Sequence, residues 1–290
     1  MTSAAQWLEG ARPRTLPAAL APVLVGTGAA ALIDRFRPLH ALLALVVALA
    51  LQVAVNYAND YSDGVRGTDA DRVGPLRLVG SGVASPRSVK AAAFLCFGVA
   101  MVAGLVLALR TTPYLIPLGG VMILAAWGYT GGASPYGYRG FGEVSVFVFF
   151  GLVAVCGTTY VQAERVTWTS VLGGVACGAL ACAILVTNNL RDIPTDVVAG
   201  KRTLAVLLGD SRTRLLYVGL VAVAFLVAVG LAAVTPLALL ALLAVPLARG
   251  PLQRVRRGVT GLELVPVLAG TGKLQLAYAV LLTAGLSLGG

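Results

Sequence analysis

Two separate segments of the chain carry the same pattern of amide and carboxylate side chains. Each begins with an asparagine that is followed, at intervals of three or four residues, by two aspartates. Residues spaced in this way lie on one face of an α-helix, so each segment predicts a helix end that presents one amide and two carboxylates. The first set is Asn56, Asp60 and Asp63, and the second set is Asn188, Asp192 and Asp196.

Carboxylates that share a helix face repel one another unless a cation lies between them. Mg²⁺ commonly binds through one or two carboxylates, while substrate phosphates and water supply its other ligands. We therefore predict a magnesium–diphosphate site whose metal ligands are Asp60, Asp63, Asp192 and Asp196. Basic side chains can hold the phosphate oxygens that the metal does not reach, and the candidates that follow the two segments are Arg66, Arg72, Arg77, Lys201 and Arg202.

The remaining residue types exclude several other kinds of site. The only histidine, His40, lies at the opposite end of the helix that is predicted to carry the first segment. This excludes a Ser-His-Asp triad and a histidine metal site beside the aspartates. No Gly-x-x-x-x-Gly-Lys-Ser/Thr loop for nucleotide hydrolysis occurs. The four cysteines all lie within apolar runs, and we interpret them as buried packing residues.

The helices that carry the two segments are predicted to cross a membrane. Of the 290 residues, 58% are hydrophobic and 12% are charged, whereas a soluble domain is about 25% charged. Uncharged apolar runs of about 18 residues or more indicate membrane-spanning helices. The composition excludes an ordinary soluble enzyme, a disulfide-rich secreted protein and a disordered chain. It also excludes a transmembrane barrel, whose strands would alternate in short segments.

We predict an all-α fold with about nine spans in one transmembrane domain that covers residues 1–290. The apolar runs lie at residues 15–33, 39–59, 91–109, 111–130, 144–163, 168–190, 215–248 and 274–290. The run 215–248 would form a helix about 50 Å long, which exceeds a hydrocarbon core of about 30 Å. Because proline disrupts helices, we divide this run at Thr235-Pro236 into two spans.

The basic residues predict the orientation of these spans. The net charge is +10, and an excess of Lys and Arg is typical of the cytoplasmic loops of membrane proteins. With the N-terminus in the cytoplasm, only Arg35, Arg37, Arg110 and Arg165 fall on the other side. We therefore expect membrane lipid, not nucleic acid, around the basic residues. Both aspartate segments then lie at the cytoplasmic face of a multi-pass protein of the cell membrane.

Residues 59–63 and 192–196 resemble the two aspartate motifs of the UbiA superfamily of intramembrane prenyltransferases. Residues 66–69 continue the first motif, and residues 199–205 continue the second. The flanking residues are similar to the branch of the superfamily that prenylates 1,4-dihydroxy-2-naphthoate in menaquinone synthesis. This similarity is carried by residues 12–18, 72–77, 129–132 and 135–140. The resemblance extends from about residue 12 to residue 209 and is weaker beyond it.

The resemblance implies helices around a central cavity whose cytoplasmic mouth carries both motifs. It also implies that Mg²⁺ joins the aspartates to a polyprenyl diphosphate. The polyprenyl group would move to the naphthoate carbon that bears the carboxylate, and loss of CO₂ would give demethylmenaquinol. Many members carry an acidic residue where this chain has Gly67, and Asp69 is the candidate replacement. The expected supporting residues of the metal or phosphate shell are Asn56, Asn59, Asp69 and Asn188, and those expected at the acceptor are Arg14, Tyr138 and Arg139.

Three other interpretations of the sequence stay open. A UbiA enzyme could use another aromatic acceptor, of the 4-hydroxybenzoate or porphyrin type. A CDP-alcohol phosphatidyltransferase also uses a membrane-embedded aspartate motif, and residues 60–64 match its opening, but the later Ala-Arg pair and the closing aspartates are missing. A transporter often carries charges within its spans, whereas the spans predicted here are nearly free of charge.

Overall fold

The structure, a computed structural model, describes residues 2–67, 76–132 and 135–290. The regular secondary structure in these ranges is helical, which confirms the all-α prediction. The α-helices are α1 (Ala4–Gly10), α2 (Pro17–Ala31), α3 (Pro38–Arg66), α4 (Pro86–Arg110), α5 (Leu115–Gly128), α6 (Gly142–Val146), α7 (Ala154–Ala163), α8 (Trp168–Val198), α9 (Leu204–Leu231), α10 (Val245–Arg256) and α11 (Val265–Leu288). A π-helical segment, Phe147–Val153, joins α6 to α7, and the 3₁₀ segments Pro236–Ala244 and Gly261–Leu264 precede α10 and α11.

Seven helical stretches of the described ranges are long and apolar enough to cross a membrane. They are Pro38–Arg66, Pro86–Arg110, Gly142–Ala163, Trp168–Val198, Leu204–Leu231, Pro236–Arg256 and Gly261–Leu288. Helices α2 and α5 are apolar but shorter, with 15 and 14 residues, so nine spans stay a prediction. Large hydrophobic side chains are exposed on the outer surface, such as Leu109 (75%) and Leu124 (72%). Lipid can cover such side chains, whereas a soluble protein rarely exposes many of them together.

Helix α8 lies at the centre of the bundle and carries the second aspartate segment. In the most apolar part of this helix, 72% of the residues are buried. The helix packs against α2, α9 and α11. Small residues such as Ala176, Ala179 and Ala183 are fully buried on α8, and they let neighbouring helices approach closely. Although proline often ends a helix, Pro194 lies within α8, which continues to Val198. The second segment is therefore helical throughout.

Helix α3 carries the first aspartate segment at its C-terminal end. The helix is 29 residues long and continues through Asp63 to Arg66, as the spacing of the aspartates predicts. The residue after the helix is Gly67, which has a φ of 72°, a left-handed conformation that glycine adopts without steric strain. Helix α3 packs mainly against α4.

The helix break predicted at Pro236 is present. Helix α9 ends at Leu231, and the next helical segment begins at Pro236 after an extended Thr235. This confirms the division of the apolar run 215–248. The last span is longer than predicted, because its helical stretch begins at Gly261 and not at residue 274. The prediction was short because Lys273 interrupts the apolar run, whereas in the structure Lys273 is exposed on the helix surface.

Candidate active site

A cavity of about 1070 Å³ lies among α2, α3, α5, α7, α8 and α11, and both aspartate segments line it. Polar side chains line the end near the C-termini of α3 and α8. The remainder is mostly apolar, and its lining residues include Val47, Leu51, Leu107, Leu118, Met122 and Phe149. A polar end that continues into an apolar interior suits a ligand with a charged group and a hydrocarbon chain.

Helix α8 presents Asn188, Asp192 and Asp196 to the cavity, on one face as their spacing predicts. The adjacent Arg191 donates two hydrogen bonds to Asp192, 2.7 Å from Nε and 2.9 Å from Nη2. A third bond of 2.8 Å joins Nη2 to Oδ1 of Asn188. A guanidinium that binds both carboxylate oxygens fixes their orientation. The sequence interpretation missed Arg191, although its position beside Asp192 within the motif is a signal.

Asp63 connects the first aspartate segment to the loop that follows the second. Its Oδ1 accepts a hydrogen bond from the Tyr138 hydroxyl and lies 3.5 Å from Nζ of Lys201. Its Oδ2 lies 3.9 Å from Nη2 of Arg77. Because Lys201 follows α8, these contacts join the first aspartate segment to the loop after the second. Two basic side chains beside one carboxylate also favour a further anion at this end of the cavity.

Asp60 does not line the cavity. The residue is fully buried, and its two carboxylate oxygens accept hydrogen bonds from the backbone N–H groups of Leu78 (2.8 Å) and Val79 (3.0 Å). Successive residues of an α-helix are rotated by about 100° around its axis. Asp60 and Asp63 therefore lie on opposite sides of Asn56. The side of α3 that carries Asp60 meets the segment after residue 76, and Asp60 holds this segment in place.

Two asparagines of α3 line the cavity and also bind neighbouring segments. Oδ1 of Asn59 accepts a hydrogen bond of 2.5 Å from the Thr130 hydroxyl. Nδ2 of Asn56 donates hydrogen bonds of 2.9 Å to the carbonyl of Ala11 and to the hydroxyl of Thr15. Asn56 therefore anchors the N-terminal segment that leads into α2.

Four basic residues line the cavity in addition to Arg191. Arg77 and Lys201 lie beside Asp63, and Arg12 and Arg14 belong to the N-terminal segment. Arg12, which the sequence interpretation did not single out as a site residue, has a left-handed backbone with a φ of 54°. A non-glycine residue rarely adopts this conformation. The sequence signal for Arg12 as a site residue is its position in the segment 12–18.

The other predicted basic residues lie outside the cavity lining. Arg66 donates hydrogen bonds to the carbonyls of Thr130 and Gly132, and its guanidinium lies 5.6 Å from the centre of the Tyr138 ring. The side chains of Arg139 and Arg202 are exposed. The backbone N–H of Arg202 donates a hydrogen bond of 2.9 Å to the carbonyl of Tyr138. The predicted residues Asp69 and Arg72 lie outside the described residues.

The carboxylates of the cavity have the right chemistry for Mg²⁺ together with a diphosphate. Within the described ranges, no three histidine, cysteine or acidic side chains lie close enough to hold one metal ion. However, Asp63 faces the cavity from α3, and Asp192 and Asp196 face it from α8. Mg²⁺ needs only one or two carboxylates when phosphate and water supply its other ligands. These three aspartates are the residues that fit the metal.

Two tyrosines that line the cavity keep their protons near neutral pH. The ordinary pKa of a tyrosine hydroxyl is about 10, and Tyr129 packs edge to face against Tyr136, with ring centroids 5.5 Å apart. Burial raises the pKa of the Tyr136 hydroxyl, which donates a hydrogen bond of 2.8 Å to the carbonyl of Ala125. Both side chains are therefore hydrogen-bond donors and not anions.

The sequence matches a family model and several relatives over most of its length. A model described as the UbiA prenyltransferase family matches residues 19–263. A relative from Mycobacterium tuberculosis, 1,4-dihydroxy-2-naphthoate octaprenyltransferase, is 57% identical over 100% of this chain and 99% of its own length. The protein of the same name from Escherichia coli is 46% identical over 72% of this chain and 70% of its own length.

Two solved structures have the same fold. A UbiA homolog from Aeropyrum pernix superposes with a TM-score of 0.69 at 16% identity, over 93% of this chain and 97% of that one. A UbiA homolog from Archaeoglobus fulgidus, bound to DMAPP and Mg²⁺, superposes with a TM-score of 0.68 at 16% identity, over 98% and 99% of the two chains. At these identities the likeness concerns the fold. The family model and the close relatives establish that this chain belongs to the UbiA prenyltransferase family.

Proposed function

We propose that this protein transfers a polyprenyl group from polyprenyl diphosphate to 1,4-dihydroxy-2-naphthoate, with loss of CO₂, to give demethylmenaquinol. The observation that carries the proposal is the group formed by Asp63, Lys201 and Arg77 at the polar end of an apolar cavity. A diphosphate with a hydrocarbon chain matches both parts of that cavity. The naphthoate acceptor is the compound in the names of relatives that match the whole chain.

The diphosphate binds, in this proposal, between the ends of α3 and α8. Lys201 and Arg77 contact its oxygens, because both already lie within 4 Å of a carboxylate at this place. Asp63 on α3 and Asp192 and Asp196 on α8 would supply the carboxylate ligands of Mg²⁺, one or two for each ion, with phosphate and water completing its shell. When bound, Mg²⁺ stabilises the negative charge that develops on the departing diphosphate.

The apolar part of the cavity holds the polyprenyl chain and keeps water away from the reacting carbon. When the bond between C1 and the diphosphate oxygen breaks, the diphosphate takes the electron pair and an allylic cation remains. Water would capture such a cation, so a dry wall is needed. The residues that form this wall include Leu107, Leu118, Met122, Phe149 and Phe150.

The acceptor carboxylate binds, in this proposal, near Arg14, which lines the cavity. Tyr138 also lines the cavity and donates a hydrogen bond to Asp63, and it is the second acceptor-binding residue of this proposal. The ring carbon that bears the carboxylate forms a bond to C1 of the polyprenyl cation. The bond to the carboxylate then breaks, CO₂ leaves, and the electron pair of that bond restores the aromatic ring.

The same proposal includes location and topology. Nine helices would cross the cell membrane, with α2 and α5 as the two short spans and the polar end of the cavity at the cytoplasmic face. The distribution of basic residues supports this orientation, since cytoplasmic loops carry most Lys and Arg. Arg110, the last residue of α4, would lie on the opposite side.

Product analysis tests the proposed function. Purified protein is incubated with Mg²⁺, a polyprenyl diphosphate and either 1,4-dihydroxy-2-naphthoate or 4-hydroxybenzoate, and the products are identified by mass spectrometry. We expect a prenylated, decarboxylated naphthoquinol with the first acceptor, and loss of this product with Asp63→Asn. Prenylation of 4-hydroxybenzoate alone would favour the other acceptor class. The absence of any prenylated product would contradict the proposal.

A further inference from the structure

A buried carboxylate–amide pair lies beside the cavity, outside the aspartate segments. Glu143 is near the start of α6 and is 7% exposed, and Asn189 on α8 is 9% exposed. Nδ2 of Asn189 donates a hydrogen bond of 2.9 Å to Oε1 of Glu143. Burying a carboxylate is costly unless it is hydrogen-bonded, and Asn189 supplies that hydrogen bond to Glu143.

The π-helical segment Phe147–Val153, which directly follows the helix of Glu143, lies in close contact with α8. A Cβ atom added to Gly151 would lie 2.5 Å from the carbonyl oxygen of Gly174, and one added to Gly178 would lie 2.9 Å from the carbonyl oxygen of Phe147. The backbones therefore touch at this crossing, as is common where small residues face each other between membrane helices. Glu143 consequently has a fixed position relative to Asn189.

The carboxylate determines how the amide of Asn189 is oriented. The NH₂ group of Asn189 points towards Glu143, because it donates its hydrogen bond to Oε1 of that side chain. The other end of the amide is its carbonyl oxygen, Oδ1. Because Asn189 lines the cavity and Glu143 does not, Oδ1 is the group that remains for a ligand in the cavity.

The position of Asn189 along α8 indicates which part of a substrate it meets. Asp192 lies one turn nearer to the polar end, and the cavity-lining Leu185 lies one turn deeper. C1 of a prenyl diphosphate joins the charged group to the hydrocarbon chain, so it must lie at this boundary. The ring that attacks C1 must therefore lie close to Asn189.

We propose that Glu143 is a positioning residue, which holds Asn189 so that its Oδ1 accepts a hydrogen bond from a ring hydroxyl of the aromatic acceptor. This inference rests on the proposed function and deepens it. Of the two substrates, only the hydroxylated ring brings a donor, since a prenyl chain and an ionised diphosphate have none. The contact would orient the ring carbon towards C1 and favour hydroxylated acceptors.

Exchange of the two functional groups tests the pair. Glu143→Gln lets the amide of Asn189 adopt either orientation, and we expect the KM for the acceptor to rise about three- to tenfold, the range for one neutral hydrogen bond. Asn189→Asp places two carboxylates side by side, and we expect a larger loss. The double variant restores one donor and one acceptor between the helices and leaves a carboxylate oxygen towards the cavity. We expect it to recover acceptor use relative to Asn189→Asp, with the KM for prenyl diphosphate near the wild-type value throughout.

A binding measurement separates a substrate contact from a purely structural one. The naphthoates that carry a single hydroxyl, 1-hydroxy-2-naphthoate and 4-hydroxy-2-naphthoate, are compared with the dihydroxy acceptor as competitive ligands. In the wild type, loss of the contacting hydroxyl should weaken binding by about tenfold. In Asn189→Ala, loss of the same ligand hydroxyl should weaken binding only slightly, because the hydrogen-bond partner of that hydroxyl is already absent. Cys182→Ala is the matched control, since it removes the contact of the Cys182 thiol with the backbone carbonyl of Glu143 but keeps the carboxylate.

The outcomes distinguish this inference from the proposed function. If the wild type forms no prenylated naphthoquinol, the proposed function itself is wrong. If the wild type is active but Asn189→Ala still discriminates between the hydroxylated ligands as the wild type does, the inference is overturned. Equal changes in KM for both substrates in Glu143→Gln would also overturn it, because they would indicate a general loss of structure.

Discussion

Asp60→Asn and Asp63→Asn each replace a carboxylate with an amide of nearly the same shape in one motif. The structure nevertheless predicts that the two variants lose different properties. Asp60 accepts hydrogen bonds from the backbone N–H groups of Leu78 and Val79 and does not line the cavity. Asp63 lines the cavity 3.5 Å from Lys201. We therefore expect the first variant to lose mainly stability and the second to lose mainly catalysis.

The loss of stability follows from the two hydrogen bonds of Asp60. An asparagine can accept only one of the two N–H groups and turns its own NH₂ group towards the other. A hydrogen bond to a charged group contributes about 1.5–3 kcal/mol, and a buried N–H without an acceptor costs about 1–3 kcal/mol. The variant no longer buries a charge, which offsets part of this loss. We expect a net destabilisation of about 2 kcal/mol.

The two variants should also differ in kinetics. Asp60 acts on the substrate only through the segment that carries Arg77. Asp60→Asn should therefore lower kcat/KM no more than Arg77→Ala does. For the loss of one charge-assisted contact, that decrease is about ten- to a hundredfold. Asp63→Asn removes a proposed metal ligand, and we expect a loss of more than about a hundredfold together with a higher Mg²⁺ requirement. Its melting temperature should stay close to the wild-type value, because the amide can still accept the hydrogen bond from Tyr138.

The assay combines thermal melting of the purified variants with titration of activity against Mg²⁺ at saturating prenyl diphosphate. Asp210→Asn is the control for loss of a negative charge, since Asp210 pairs with Arg214 on α9 and does not line the cavity. The reasoning is refuted if Asp60→Asn melts at the wild-type temperature and raises the Mg²⁺ requirement as much as Asp63→Asn.

Lys201→Ala is expected to raise the KM for prenyl diphosphate about ten- to a hundredfold, and an unchanged KM would contradict a phosphate contact. Arg14→Ala is expected to weaken acceptor use more than Arg139→Ala, because Arg14 lines the cavity and Arg139 is exposed outside it; kinetics against the acceptor check this order, and the reverse order would count against Arg14. EDTA should abolish turnover and Mg²⁺ should restore it, so full activity in EDTA would argue against the metal. A topology reporter fused after Lys90 should read cytoplasmic and one fused after Arg110 should read external; a cytoplasmic signal after Arg110 would invalidate the proposed arrangement of α4 and α5.

The sequence predicts well those features of the site that depend on one helix alone. The spacing of Asn188, Asp192 and Asp196 predicts a shared face, and all three line the cavity, because every α-helix has the same turn per residue. The same argument for α3 groups Asp60 with Asp63, but the two side chains point to different neighbours. Which segment packs against each side of a helix depends on the tertiary fold, and spacing does not encode it.

Glu143 illustrates a second reason why sequence interpretation stops short of the site. The apolar run that predicts the fifth span begins at residue 144, so Glu143 resembles an ordinary charge at a helix end. Its hydrogen-bond partner Asn189 is 46 positions away along the chain. The burial of this carboxylate beside the cavity depends on the contact between the helices, which is made through glycines such as Gly178. The sequence alone does not reveal that contact.

The order of side chains along α8 matches the order of the parts of a prenyl diphosphate. Asp196 and Asp192 lie towards the C-terminal end, Asn189 lies about 4.5 Å deeper than Asp192, and Leu185 about 6 Å deeper again, from the rise of 1.5 Å per residue. This rise fixes the distance between the diphosphate contact and the proposed acceptor contact as long as the helix is continuous. Pro194 lies between the two aspartates within the helix. A break there would displace Asp196 relative to Asp192 and Asn189, so the proposed chemistry requires that α8 continue through Pro194.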